Sequence, residues 1–193
     1  MTVPTVTIGR ENGSGGREVG RILAGILGVK CYDREIIART AEVSGMDEGS
    51  VEAMEESERG GRISYWGVPP ANPLFGAQCR VIADLASEGP CVFVGRCADH
   101  VLSGRDDVVR VFIDAPLGDR ISRSSERNGI SGKEAYERIR DTDAQRAAYY
   151  QRYTGKVWGS AQNYDITLST GRIGVEGAAK LIAEYIRMAH PGP

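Results

Sequence analysis

The sequence predicts an α/β fold of three layers, with a parallel sheet between two layers of helices. Segments with the β-branched, apolar composition of strands alternate with segments whose apolar residues recur at helical spacing. A glycine-rich turn joins the first such strand to the first such helix, which is the arrangement of folds that bind phosphate at a helix N-terminus. The length, residues 1–193, fits a single domain with its own core.

The elements of the first half follow from local pattern. Apolar residues at i, i+3 and i+4 spacing after the glycines predict a helix that ends at Gly28, because glycine readily adopts the left-handed conformation of a helix C-terminus. Asp47 has the short acceptor side chain of an N-cap. The predicted order is a strand at 5–9, a helix to Gly28, a short strand at 29–33, a helix around 36–41 and an acidic helix from Asp47 to about Glu58.

The second half begins with a long loop. Residues 59–73 are rich in glycine and proline and contain Tyr65 and Trp66, so we predict a flap there. Ser131 and Glu134 have the spacing of a capping box, which predicts the start of a long helix. The predicted elements are a helix at 74–87, strands at 91–94 and 108–114, a helix opened by Pro116 and ending near 128, a helix from 131 to about 152, a strand at 166–168 and a helix at 175–188.

Composition excludes several classes of protein. The formal net charge is −2, which does not favour binding to nucleic acid or to a membrane surface. No segment has the roughly 20 apolar residues of a membrane helix, and Met1 leads directly into the first strand without a signal peptide. The four cysteines show neither a C-x-x-C spacing nor a disulfide pattern, so we expect a reduced, cytoplasmic protein.

The glycine-rich turn is the most informative segment. Its glycines leave backbone N–H groups open to an anion, and the following helix adds unpaired donors and the positive end of its dipole. The predicted phosphate-binding residues are Asn12, Gly13, Ser14, Gly15, Gly16, Arg17 and Glu18. The segment departs from a regular Walker A loop, because Gly16 stands where lysine is usual, and Arg17 and Glu18 follow where serine or threonine is usual. A turn that merely closes a βα unit is the alternative.

Further polar residues follow the predicted strands, at the edge of the sheet where ligands bind in such folds. Asp33 is a candidate for binding an acceptor nucleotide or the water shell of a metal, and the alternative is an N-cap of the next helix. Arg96 is a candidate clamp for the acceptor phosphate, and the alternative is a structural ion pair. Asp99 is expected to orient Arg96, and Asp114 ends another strand at the same edge.

Residues 120–155 predict an arginine-rich helical lid. Arg120, Arg123 and Arg127 lie at i, i+3 and i+7 and so share one helix face, and Asp143 and Arg146 lie on the next helix. Arginines that close over phosphate oxygens stabilise the charge that develops in phosphoryl transfer. A solvated charged face is the alternative.

Several segments together resemble the cytidylate kinase-like family, a branch of the P-loop nucleoside monophosphate kinases. They cover almost the whole chain in the expected order. The segments are 7–20 (TIGRENGSGGREVG), 31–37 (CYDREII), 94–99 (VGRCAD), 141–150 (DTDAQRAAYY), 153–159 (YTGKVWG) and 163–165 (NYD).

The resemblance implies a P-loop nucleoside monophosphate kinase fold, with ATP and Mg²⁺ at the glycine loop and a nucleoside monophosphate as acceptor of the γ-phosphoryl group. It implies Asp33 and Arg96 on the acceptor side, with Asp99, and Asp143 and Arg146 in the lid. We expect CMP or dCMP as acceptor, with a different small acceptor or a non-catalytic nucleotide-binding protein as alternatives, and a monomer or homodimer.

The missing loop lysine requires another cation, for which Arg17 or a lid arginine is the candidate. We therefore expect Arg17, Asp33 and Arg146 to act in catalysis. The missing hydroxyl requires another anchor for Mg²⁺, for which Asp114 or Asp33 is the candidate.

Overall fold

The structure is a computed structural model that describes residues 3–51 and 73–191. The predicted flap therefore lies outside the described residues except for Pro73, and so does the predicted acidic helix beyond residue 51. At the start of that helix, Asp47 Oδ1 accepts a hydrogen bond of 2.9 Å from the backbone N–H of Ser50, so its predicted role as N-cap is confirmed.

The described residues form a five-stranded, wholly parallel sheet, as predicted. The strands are β1 (Thr5–Arg10), β2 (Lys30–Tyr32), β3 (Cys91–Val94), β4 (Val108–Asp114) and β5 (Ile166–Ser169). Their order in the sheet is β2-β3-β1-β4-β5. Ile8 of β1 is in register with Val94 on one side and with Val111 on the other. The carboxyl ends of β3, β1 and β4 therefore lie next to one another.

Seven α-helices have both ends within the described residues, besides the start of a helix at 48–51 and a 3-10 helix at Ala161–Asn163. They are α1 (Gly16–Leu27), α2 (Glu35–Ser44), α3 (Pro73–Ser87), α4 (Ala98–Val101), α5 (Leu117–Asn128), α6 (Gly132–Thr154) and α7 (Thr170–Ala189). Buried residues of α1 and α7 form one apolar cluster with β1 and β4, and buried residues of α2 and α3 form another with β2 and β3. The predicted three layers are confirmed.

Most predicted boundaries agree with the structure to within two residues. The capping box is present, with Ser131 Oγ accepting from Glu134 N at 3.2 Å and Glu134 Oε2 accepting from Ser131 N at 2.8 Å. The last helix runs from Thr170 to Ala189, but Gly174, with φ 67° and ψ −179°, is not helical. It separates one short helical turn from the long helix that starts at Val175, as predicted. Within the described residues no helix is both long enough and apolar enough to cross a membrane.

Candidate active site

The glycine loop connects β1 to α1, as predicted. Gly13 (φ 78°) and Gly15 (φ 83°) adopt the left-handed conformation, and Ser14 between them is fully buried. The hydroxyl of Ser14 donates to the backbone oxygen of Glu11 at 2.9 Å, and its own backbone oxygen accepts from Thr170 Oγ1 at 2.7 Å. The loop is thus a fixed turn at the N-terminus of α1.

Helix α5 lies directly against this loop. Arg120 Nε donates to the backbone oxygen of Asn12 at 2.8 Å, and Arg123 Nη1 donates to that of Gly13 at 2.7 Å. A Cβ atom at Gly13 would lie 2.8 Å from the backbone oxygen of Arg120, which is too close. These two arginines therefore bind the backbone of the loop, and the solvated-face alternative applies to the exposed Arg127.

Asp143 joins α6 to the glycine loop. Its Oδ1 accepts a hydrogen bond of 2.7 Å from the backbone N–H of Asn12, and its Oδ2 is paired with Arg120. Arg120 is 7% exposed and pairs also with Glu11, with 2.9 Å between Nη1 and Oε2. Helices α5 and α6 therefore hold the glycine loop through a buried network of charges.

A cavity of about 220 Å³ opens between the carboxyl ends of β1 and β3 and helix α6. Four arginine side chains line it: Arg10, Arg17, Arg96 and Arg146. Three of them were predicted as site residues. Sequence reasoning missed Arg10, although its place at the start of the loop motif, where a Walker A loop has its first glycine, was a usable signal.

Acidic side chains only partly balance this positive charge. Asp33, 6% exposed, forms an ion pair with Arg17, with 2.5 Å between Oδ2 and Nε. Asp143 lies 3.8 Å from Arg146, whose Nη1 donates to the backbone oxygen of Arg10 at 3.1 Å. Burial lowers the pKa of Arg146 to about 10, Asp143 opposes this shift, and the charges of Arg96 and Arg17 add to it. A cluster of like charges in a cavity is suited to binding a multiply charged anion.

The structure places Asp33 behind Arg17 and not at the start of α2. Helix α2 has Arg34 at its cap position, with no side-chain hydrogen bond to its N-terminus, so the capping alternative for Asp33 is wrong. Asp33 does not itself line the cavity. Its carboxylate fixes the guanidinium of Arg17, which does.

Arg96 lies in a strained turn after β3. Gly95, Arg96 and Cys97 all have positive φ angles, of 82°, 60° and 53°, which is unfavourable for the two residues that carry a Cβ. Gly95 N donates to the backbone oxygen of Ile8 at 3.0 Å and so ties the turn to β1. The turn places the Arg96 side chain at the cavity.

Aromatic side chains also line the cavity. They are Tyr149, Tyr150, Trp158 and Tyr164. Asp99 accepts a hydrogen bond of 2.6 Å from the hydroxyl of Tyr150. Phe112 packs edge-on against Trp158, with 5.3 Å between the ring centroids. The cavity is therefore lined by both cationic and aromatic side chains, which suits a phosphate attached to a planar group.

Carboxylates near the loop offer limited ligation for a metal. Asp114 ends β4, and the Glu11 carboxylate accepts a hydrogen bond of 3.4 Å from the backbone N–H of Ala115 beside it. Burial raises the pKa of Glu11, against the opposing effect of Arg120. Among residues 3–51 and 73–191 no three acidic, histidine or cysteine side chains group into a metal site. One or two carboxylates nevertheless fit Mg²⁺ that is held mainly by phosphate oxygens and water.

Comparison with known proteins gives concordant results. A model of the cytidylate kinase-like family matches residues 5–172. The cytidylate kinase of Methanopyrus kandleri is 30% identical over 177 residues, which are 86% of this chain and 84% of that protein. The cytidylate kinase of Methanosarcina mazei is 25% identical over 86% of both chains.

Solved structures with the same fold include an uncharacterized protein of Eubacterium ventriosum, with a TM-score of 0.78 and 26% identity over 97% of this chain and 99% of that one. The shikimate kinase of Acinetobacter baumannii has a TM-score of 0.57 and 17% identity over 99% and 97% of the two chains. The second similarity shows the fold alone.

Proposed function

The chain belongs to the cytidylate kinase-like family, and from that membership we propose that it transfers the γ-phosphoryl group of ATP to CMP or dCMP. The family and the relatives support a nucleoside monophosphate kinase in general. The observation that carries the proposal is the cavity lined by four arginines and four aromatic side chains, directly beside the glycine loop. ATP as donor and a cytidine nucleotide as acceptor are the specific parts of the proposal.

The donor site is proposed at the glycine loop. The triphosphate would lie against the backbone N–H groups of residues 12–18, at the positive end of α1. Arg123, whose Nη1 would lie 3.5 Å from a Cβ atom built on Gly15, is placed to approach the same phosphates from α5. Mg²⁺, when bound, would neutralise charge on the phosphate oxygens, and Asp114 with Glu11 would hold its water shell.

The acceptor site is proposed in the cavity. The monophosphate group would bind Arg96 and Arg146, whose planar guanidinium groups match phosphate oxygens in two-point contacts. The base would lie against the aromatic side chains that line the cavity. Asp33 would act through Arg17, because it contacts that guanidinium and not the cavity.

The proposed transfer needs no covalent intermediate with the protein. An oxygen of the acceptor phosphate forms a bond to the γ-phosphorus while the bond from the γ-phosphorus to the β–γ bridging oxygen breaks. The electron pair of that bond leaves with ADP, and no proton has to be removed from an ionised acceptor phosphate. The arginines hold the two phosphates together and stabilise charge on the non-bridging oxygens.

An assay of ADP release with CMP, dCMP, UMP, AMP and no acceptor tests the proposal. We expect turnover with CMP or dCMP that exceeds turnover with UMP, AMP or water. Arg146→Ala should reduce it by 100-fold or more, in the range measured for loss of one oxyanion donor, about 10²–10³. Arg138→Ala, on the exposed face of the same helix, is the matched control. Turnover that is independent of the acceptor overturns the proposal.

One observation favours a second candidate, a nucleotide-binding protein without transfer activity. Gly16 offers no ammonium group to the β- and γ-phosphates. This candidate predicts that Mg·ATP binds in calorimetry while none of the acceptors supports ADP release.

A further inference from the structure

The glycine loop differs from the Walker A pattern at two positions that are related in space. When the two patterns are aligned on Gly15, Gly16 occupies the position of the lysine and Arg10 occupies the position of the first glycine. Compared with the Walker A pattern, the loop therefore lacks a cation at position 16 and has an additional one at position 10.

The stem of Arg10 occupies the space that a side chain at position 16 would need. A Cβ atom built on Gly16 would lie 2.5 Å from the Cβ of Arg10 and 3.0 Å from its Cγ. Gly16 has no positive φ that would by itself require glycine. Packing against Arg10 therefore explains why position 16 has no side chain.

The guanidinium group of Arg10 reaches the end of β3. A Cβ atom built on Gly95 would lie only 1.6 Å from Nη1 of Arg10, so position 95 has no room for a side chain. Gly95 precedes Arg96, and both line the cavity with Arg10. The side chain of Arg10 thus spans the distance from the first turn of α1 to the proposed acceptor side.

Arg10 has no partner that would explain it as a structural residue. Within residues 3–51 and 73–191 its guanidinium group forms no hydrogen bond and no ion pair. Burial holds the pKa of Arg10 well below its usual value, the nearby positive charges of Arg146, Arg96 and Arg17 lower it further, and Asp33 opposes this shift. A cation in this environment destabilises the free protein and is stabilised by a bound anion.

We propose that Arg10 takes the place of the missing loop lysine and binds the phosphoryl group that passes from donor to acceptor. This inference rests on the proposed function. Arg10 would contact the non-bridging oxygens of the γ-phosphate while the bond to the acceptor oxygen forms and the bond to ADP breaks. It neither gives up nor accepts a proton. Arg17, paired with Asp33, then serves the acceptor side.

Arg10→Met tests the charge while keeping an apolar stem over Gly16. We expect kcat to fall by 100-fold or more, with KM for CMP changed by less than about threefold, because the contact is made chiefly in the transition state. The melting temperature without ligand should stay equal or rise. Arg187→Ala, which removes an exposed arginine in the last turn of α7, is the control and should keep full activity. The assignment is overturned if Arg10→Met keeps more than half of the wild-type kcat. It is also overturned if the melting temperature of Arg10→Met falls enough to account for the lost activity.

A second pair of variants tests the exchange of positions. Arg10→Gly removes the stem and the cation, and Gly16→Lys added to it recreates the usual loop pattern. The double variant should recover at least tenfold of the kcat lost in Arg10→Gly, whereas Gly16→Lys alone should be inactive because its side chain meets Arg10. A double variant no better than Arg10→Gly contradicts the proposal.

If the wild-type protein transfers phosphate to no nucleotide, the proposed function fails and Arg10 is judged by anion binding alone. Calorimetry with inorganic tripolyphosphate should then show at least tenfold weaker binding for Arg10→Met than for Arg187→Ala. Equal affinities, or no binding by the wild type, overturn the role of Arg10.

Discussion

Asp143 and Asn12 are joined by a hydrogen bond of 2.7 Å from the backbone N–H of Asn12 to the carboxylate of Asp143. The two residues are 131 positions apart in sequence, so this bond ties α6 directly to the glycine loop. The same carboxylate is paired with Arg120, which holds the backbone of Asn12 from the other side. The geometry of the loop therefore depends on helices α5 and α6 as well as on its own glycines.

We expect Asp143→Ala to loosen this arrangement. Loss of the carboxylate leaves the buried Arg120 with Glu11 as its remaining carboxylate partner, and the cost should be about 2–3 kcal/mol of unfolding free energy, below the full cost of breaking a buried pair. Urea denaturation measures it, and the amide of Asn12 should exchange hydrogen faster. Asp141→Ala, which removes an exposed carboxylate from the same helix, is the control. Equal losses in the two variants would contradict the role of the bond.

The fold could be predicted from the sequence because its elements carry strong local signals. The strand β3 is a short apolar run, Ser131 and Glu134 form a capping box, and Gly28 ends α1 with a φ of 69°. Only the short helical turn before the non-helical Gly174 was not predicted, since it lacks the apolar periodicity of the helix that follows.

The site could be predicted only in part, for a different reason. The edge of the sheet where Arg17, Arg96 and Arg146 meet follows from strand order, which alternating elements indicate. The partners of each charge depend on long-range packing. Arg10 illustrates the limit: its place in the loop motif is visible in the sequence, but its close approach to Gly16 and Gly95 depends on long-range packing.

The ion pair between Arg17 and Asp33 should matter more for the acceptor than for the fold. Arg17 is about one third exposed, so the pair should contribute no more than about 1 kcal/mol to stability. Asp33→Asn releases Arg17 and leaves the cluster more positive, and we expect KM for CMP to rise at least tenfold. Initial rates and melting temperatures measure the two effects. Asp107→Asn, which breaks the exposed pair with Arg105, is the control. Losses of activity and stability in proportion would refute this view of Asp33.

Two glycines of α1 should respond in opposite ways to alanine. A Cβ at Gly16 would lie 2.5 Å from the Cβ of Arg10, so Gly16→Ala should destabilise the protein by about 1–3 kcal/mol through overpacking. A Cβ at Gly25, in the same helix, would meet nothing within 4 Å. Gly25→Ala should therefore stabilise by about 0.5–1 kcal/mol, through the higher helix propensity of alanine. Urea denaturation of both variants measures this, and a Gly16→Ala protein as stable as the wild type would show that Arg10 yields easily.

The arginine cluster should make stability depend on phosphate. Burial lowers the pKa of both Arg10 and Arg146, and neighbouring arginines lower it further, so the cluster is unfavourable without an anion. CMP at 100 times its dissociation constant should stabilise the protein by about 2.7 kcal/mol. Cytidine, which lacks the phosphate, should raise the melting temperature much less at the same concentration. The effect of CMP should weaken as sodium chloride is added, because salt screens the contacts with phosphate. Thermal denaturation measures both shifts. Arg146→Ala should lose most of the difference between the melting temperatures with CMP and with cytidine, and Arg138→Ala should keep it. Equal shifts for cytidine and CMP in the wild type would exclude a phosphate site in the cavity.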